Sequence, residues 1–502
     1  MKTKRLLFMV MIVIALSSAF GTSKGYAEGI KRPKLVVGII VDQMRWDYLY
    51  RYYDLYGNDG FKRMMREGFN CENTMINYLP SYTAVGHTSV YTGTVPAVHG
   101  IVGNTLFFDG KATYCCADST VNSVGTDSKA GQMSPHNLLS TTIGDELKIA
   151  TDFKSKVIGV ALKDRAAILP AGHTADGAYW IDFKKGCFVT STHYMKELPQ
   201  WVTDFNKAIG KTSKNEIQMT SLGNKLTEEF AKAAVTGENL GLNSQTDMLT
   251  ISFSCTDMVG HAYGTHSQKT QDVYLDVDAR LADLFAFLDN RIGKDEYLVF
   301  LAADHGAANN ILMMREHGYH VDGFFSSKVE NALDSYLKET FHTDSKLFSR
   351  FGNDYVFLDY KAVKSSGIDV RTLKKTIIKW LESNPLFSYA VDMDEVNDAV
   401  LPDVIKEKMI NGHYRQRCGD IRFVLRPGCY EIYGKEIDGG TTHGSWNPYD
   451  AHIPFIIMGW NTKPGVTNKQ TYITDIAPTI CAKLHIQMPN GCIGTAVEDA
   501  LK

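Results

Sequence analysis

The sequence predicts an α/β fold built on a mainly parallel central sheet flanked by helices. Three observations carry that reading. Four short, almost unbroken apolar runs recur along the chain: Lys34 to Val41, Lys156 to Leu162, Asp247 to Ser254 and Tyr297 to Ala303. Such runs are expected of strands buried on both faces of a parallel sheet. A long stretch with 3.6-residue apolar periodicity separates the last two, and alternation of strand and helix is the mark of this fold class. Each run is followed closely by acidic, histidine or cationic residues. Parallel sheets bind ligands at the carboxyl ends of their strands.

Taken in order, the chain begins with Lys2, Lys4 and Arg5 ahead of the apolar run LLFMVMIVIAL. This reads as a secretory signal peptide over residues 1–27, with Gly25-Tyr26-Ala27 as the cleavage site and Glu28 as the mature start. The run is too short for a transmembrane span, and no cysteine follows it closely. An uncleaved anchor is the alternative. The first strand, 34–41, leads into Asp42, and a short helix is predicted from Phe61 to Arg66, ended by Gly68.

The stretch NYLPSYTAVGHTSVYTG, Asn77 to Gly93, is the organising segment. Pro80 and Ser81 break what precedes it, and a helix lined with small residues is predicted from Thr83. A helix N-terminus with free N–H groups suits an anion. Thr83 there reads either as a nucleophile that needs a base or metal to activate it, or as a helix cap. The second strand ends in Lys163-Asp164-Arg165. Positions i and i+2 of a strand share a side, which would aim both cations at one spot. Asp257 follows the third strand. Gln268 to Arg291 is an amphipathic helix with Val273, Val277, Leu281, Leu284 and Leu288 on one stripe. Asp304-His305-Gly306 follows the fourth strand, and a fifth, Ile453 to Met458, comes shortly after His443.

Between Asn310 and Lys435 the pattern changes. Asp369 caps a helix with Leu373, Ile377, Trp380 and Leu381 on its apolar face, flanked by the strand-like pieces YVFLDY and DIRFVL. We read 28–309 and 436–502 as two parts of one catalytic core and 310–435 as an inserted α+β cap region.

Composition narrows the function. With 502 residues, 44% of them hydrophobic, the chain can bury a large core, and its net charge of −3 provides no basic field for nucleic acid. Nine cysteines in an exported chain lead us to expect some disulfides, with at least one thiol left over.

Three clusters carry metal-ligand chemistry: Asp42; Asp257-Met-Val-Gly-His261; and Asp304-His305 together with His443 in THGSW. Aspartate and histidine together suit zinc. Each has a structural alternative as a cap, turn or loop residue, and His87, His99, His136 and His452 read as supporting or structural. As an ordered set, however, Asp42, Thr83, DMVGH, ADHG and THG resemble the alkaline phosphatase superfamily, from about Lys34 to the end. The resemblance is strongest to the branch of nucleotide pyrophosphatase/phosphodiesterases and phosphate-irrepressible alkaline phosphatases. It implies two zinc ions, one on Asp257, His261 and His443, the other on Asp42, Asp304 and His305 with Thr83 as a further ligand. Sulfatases share the superfamily but need Cys or Ser in a C-x-P-x-R motif, and Thr83-Ala84-Val85-Gly86 does not supply it.

The implied activity is hydrolysis of small-molecule phosphate monoesters through a phosphothreonine at Thr83, by a periplasmic or secreted protein with no stable membrane anchor after signal cleavage. Asn104 in HGIVGNTLF matches a family asparagine that donates to a phosphoryl oxygen, and Lys163 and Arg165 match the K-x-R pair of the phosphate-irrepressible phosphatases, which the diesterase branch is not expected to carry. The alternatives are a phosphodiesterase or nucleotide pyrophosphatase, and a catalytically silent metal-dependent binding protein. A silent binder would have no use for Thr83.

Overall fold

The computed structural model describes residues 30–502 apart from Asp109 and Lys211. The signal peptide expected at 1–27 lies outside the described residues. The chain divides into two units, Met1–Arg32 and Pro33–Lys502, and every helix and strand among the described residues belongs to the second.

A ten-stranded sheet runs through this unit. Its centre is built from β1 (Leu35–Val41), β2 (Val157–Ala161), β3 (Gly177–Asp182), β4 (Asp247–Phe253) and β5 (Tyr297–Ala302), with β6 (Phe455–Gly459) beside β5. The spatial order is β6-β5-β1-β4-β2-β3, and all but β6 run parallel. Every residue of β1, β2, β3, β4 and β5 is buried, which is why these segments read as continuous apolar runs rather than alternating ones. The run at 453–458 is a strand too, but β6 pairs antiparallel with β5. Burial on both faces gives the same apolar run whichever way a strand points, so direction was not readable from it.

Register brings the strand ends level. Val41 lies opposite Phe253 on one side, and Ile40 opposite Ala302 on the other. Asp42, the Ser254–Asp257 segment and Asp304 therefore emerge at one edge of the sheet. Helix α1 (Thr83–Thr92) lies against this edge with all ten residues buried. Its small residues permit the approach: a Cβ added at Gly86 would stand 2.1 Å from the carbonyl oxygen of Asp304. Left-handed Gly93 (φ 65°) closes the helix. Helices α2 (Asp164–Ala171) and α3 (Cys255–Tyr263) start just past β2 and β4.

The long helix expected at Gln268–Arg291 is present, with Val273, Val277, Leu281, Leu284 and Leu288 buried. Within 310–435, the strands Phe348–Gly352, Tyr355–Leu358, Phe387–Asp392 and Ile421–Leu425 form a separate antiparallel sheet. Helices Ser326–Phe341 and Val370–Ser383 share a second apolar core with it, and Asp369 caps the latter helix by accepting from the Thr372 N–H. No helix among the described residues is long and apolar enough to cross a membrane. The expected disulfides are not formed: all nine cysteines are free, six of them buried as small apolar side chains.

Because the contact at Gly86 is with main chain, a methyl group there forces helix α1 or Asp304 to move. We expect Gly86→Ala to destabilise the fold by about 1–3 kcal/mol, as overpacking does, seen as a lower melting temperature. A variant with unchanged melting would show that the helix does not lie this close.

Candidate active site

The sheet edge gathers the residues that the sequence singled out. Asp257 and His261 lie four apart on α3, one turn, so they share a face, and His443 arrives from the loop after the smaller sheet. His261 Nε2 is 3.0 Å, and His443 Nε2 3.6 Å, from Asp257 Oδ1. On the other side, His305 Nε2 is 3.2 Å from Asp304 Oδ2 and 3.7 Å from Asp42 Oδ1. Thr83 Oγ1 lies 3.4 Å from the same His305 nitrogen. The rings of His305 and His443 stack with centroids 3.4 Å apart, so the two groups form one continuous cluster.

The donor set fits metal ions. Each imidazole directs Nδ1 at a backbone carbonyl: His261 at Thr441 (2.8 Å), His305 at Gly306 (3.0 Å) and His443 at Ser81 (2.7 Å). A carbonyl only accepts, so Nδ1 carries the proton and Nε2 is the free ligand atom of the neutral ring. Asp42 Oδ1 and Asp304 Oδ2 are buried with no hydrogen-bond partner among the described residues, which is costly unless something cationic meets them. Burial and the neighbouring Asp304 carboxylate push the Asp42 carboxyl up to about 7, against the pull of Lys163. Burial and the adjacent His305 hold His443 well below the usual imidazole range.

Lys163 joins the two halves. Its Nζ donates to Asp42 Oδ2 and to Asp257 Oδ2, each at 2.6 Å. An ammonium has three N–H groups, so one remains. The expected route to this position was wrong in detail. Lys163 and Arg165 do not sit at i and i+2 of a strand: β2 ends at Ala161, Lys163 is the extended residue just before α2, and Arg165 lies in the first turn of that helix. Both nevertheless line one cavity. Arg165 Nη1 donates to the Tyr114 hydroxyl at 3.1 Å, and Tyr114 in turn donates to Asp164. Asn104 is fixed beside Thr83 because its Oδ1 accepts from the Ala84 N–H at 3.0 Å.

Two further residues hold the cluster. Gln43, in a left-handed conformation (φ 64°), donates through Nε2 to Asp257 Oδ1 at 2.7 Å and through its backbone N–H to Asp304 Oδ1 at 3.1 Å. Nothing in the sequence marked it beyond its place after Asp42. His87 bonds the Thr83 carbonyl at 2.9 Å and the Ser252 hydroxyl at 2.8 Å, and its Nδ1 lies 3.2 Å from Asp304 Oδ2. Its signal was helical spacing: four residues after Thr83 puts it on the same face. His99, by contrast, bonds Ser89 inside the core, and His452 stacks on Trp46.

Because His87 stands beside Asp304 while bonding the Thr83 carbonyl, we expect His87→Ala to weaken metal affinity by about 10–100-fold, the usual effect of removing a group that orients a ligand. Competition with a chromophoric chelator measures this, and unchanged affinity would leave His87 a purely structural residue.

Comparison with known proteins agrees with this geometry. Residues 36–446 match the family described as type I phosphodiesterase/nucleotide pyrophosphatase. The chain is 43% identical to alkaline phosphatase PhoV of Synechococcus elongatus, over 99% of this chain and 100% of that one. It is 41% identical to a Myroides odoratus protein named calcium-transporting ATPase, over 99% and 100%. It is also 41% identical to alkaline phosphatase PafA of Elizabethkingia meningoseptica, over 97% and 98%. A crystal structure of wild-type PafA superposes with a TM-score of 0.91 at 41% identity, covering 95% of this chain and 100% of that one. The chain therefore belongs to the type I phosphodiesterase/nucleotide pyrophosphatase family, within the alkaline phosphatase superfamily.

Proposed function

We propose that this protein is a zinc-dependent phosphomonoesterase that works through a phosphothreonine at Thr83. The observation that carries the reading is the meeting of three things at one sheet edge. Thr83 presents its hydroxyl beside a metal-type ligand cluster, that cluster contains buried carboxylate oxygens without a hydrogen-bond partner among the described residues, and Lys163 bridges its Asp42 and Asp257 carboxylates. The names of the PhoV and PafA relatives point to the same activity.

Asp257, His261 and His443 would hold one zinc ion, and Asp42, Asp304 and His305, with Thr83, the other. Zinc supplies Lewis acidity there, lowering the pKa of a coordinated hydroxyl and polarising phosphoryl oxygens. The chain's own residues do the rest. Thr83 Oγ1 attacks phosphorus in line, the P–O bond to the alcohol breaks, and the alcohol leaves with a proton. Water then hydrolyses the phosphothreonine and releases inorganic phosphate. The third Lys163 N–H, the Arg165 guanidinium and the Asn104 amide would stabilise the non-bridging oxygens, where charge placement dominates catalysis. Segment 310–435 would act as a cap over this edge, and the apolar run behind Lys2, Lys4 and Arg5 supports export to the periplasm or beyond.

The second reading, a phosphodiesterase, takes its support from the description of the matched family. The two differ at Lys163 and Arg165. A monoester dianion carries more charge on its non-bridging oxygens than a diester, and two cations there favour it. Hydrolysis of an aryl phosphate should therefore exceed that of the matched methyl diester, and chelation should abolish both until zinc is restored. Replacing both Lys163 and Arg165 with Ala should lower monoester kcat/KM far more than diester kcat/KM. Full activity after exhaustive chelation would remove zinc from the account, and a wild-type enzyme faster on the diester would move the protein to the second reading.

A further inference from the structure

The phosphate-binding pair faces more than the metal cluster. Lys163 and Arg165 also line a cavity of about 560 Å³ whose lining includes none of the Asp and His residues of the cluster. That volume lies within the roughly 300–1,000 Å³ of ligand pockets and exceeds what one phosphoryl group fills. Three more cations line it from three separate elements: Lys129 on the turn Lys129–Gly131, Lys184 in the turn after β3, and Lys214 at the start of helix Lys214–Met219. All three are exposed, and none is placed in an ion pair among the described residues.

Two carboxylates, Asp182 and Asp164, also line the cavity and offset part of this charge, but each is held by its own hydrogen bonds rather than by the ammonium groups of the three lysines. Asp182 is buried and accepts from Thr126, Ser128 and the Lys184 N–H, at 2.8, 2.6 and 2.8 Å. Asp164 is engaged by Tyr114 and by the Arg165 N–H. Meanwhile Arg165 Nε is buried without a hydrogen-bond partner among the described residues. Acidic residues outnumber basic ones in the chain, 56 to 53, so a cavity lined by five cations against two carboxylates is a local excess that overall composition does not supply.

We propose that this cavity is a second anion subsite. It takes the second phosphate of a bisphosphorylated small molecule while the first phosphate is held at Thr83. The inference rests on the phosphomonoesterase reading and narrows its substrate class to esters whose alcohol portion is itself phosphorylated. Lys129, Lys184 and Lys214 attract and align the distal phosphate. Because they are exposed, their effect is modest and screened by salt.

The test uses two series of substrates on the zinc-loaded enzyme: alkanediol bisphosphates of increasing chain length, and the matching ω-hydroxyalkyl monophosphates. At one or more lengths the bisphosphate should show kcat/KM about tenfold higher than its hydroxyl partner, and about 0.5 M salt should erase the difference. The triple variant Lys129→Gln/Lys184→Gln/Lys214→Gln should lose the preference while hydrolysing the hydroxyl series at the wild-type rate. Lys184→Glu alone, a single surface change, should weaken the preference in a protein with wild-type melting behaviour. No preference at any length, or a preference that survives in the triple variant, overturns the subsite. If the wild-type enzyme hydrolyses neither series, it is the phosphomonoesterase reading that fails. Calorimetric binding of the same two ligands then decides the subsite by the same comparison, with equal affinities overturning it.

Discussion

Negative charge buried at the carboxyl ends of three neighbouring strands is the constraint on which the rest of this structure depends. Asp42, Asp257 and Asp304 are 0, 4 and 0% exposed, and removing a single unpaired carboxylate from water costs several kcal/mol. The fold meets this with an ammonium shared between two of the carboxylates, imidazoles beside them, and directed N–H groups from Gln43. Those partners are themselves held. The three imidazoles lean on backbone carbonyls, and Gln43 is fixed by the Tyr274 hydroxyl on its carbonyl at 3.0 Å. Two carboxylate oxygens remain unmatched. In the proposed reading, metal ions complete the compensation, so the groups that make the metal-free cluster costly are the ones that make it a tight ligand set.

Helix α1 depends on the same arrangement. It can bring Thr83 to the cluster only because Gly86 lets it lie against the Asp304 main chain, and His87 links the two from within the helix. In the proposed reading, a residue whose hydroxyl must be activated is thus carried on a fully buried helix rather than a surface loop. That placement limits its motion and keeps water away from the helix, which strengthens each electrostatic contact around it.

Much of this was legible in the sequence, for identifiable reasons. Strands buried on both faces leave continuous apolar runs, and the ligand-type residues that come after them in sequence lie close to the strand ends in space, so Asp42, Asp257, Asp304 and His305 could be found from position alone. His443 could not. It comes from a loop far along the chain, and only its place in an ordered set of motifs marked it. Gln43 was invisible because its role rests on a left-handed backbone that propensity does not foretell. Lys163 and Arg165 were found through strand periodicity, yet they belong to a helix start. Strand spacing still named two residues that line one cavity, although the helix start, not a strand, places them there. The antiparallel direction of β6 left no trace in its side chains, and the free cysteines show that an exported-type composition does not by itself dictate pairing.

The central claim is that Thr83 carries the phosphoryl group. Rapid acid quenching during turnover of a phosphate monoester, with mass spectrometry of the digested protein, tests it most directly. The account predicts phosphate on the peptide that contains Thr83, at that side chain, rising and falling with turnover. Phosphate on a different side chain, or turnover with none on Thr83 at any quench time, would contradict it.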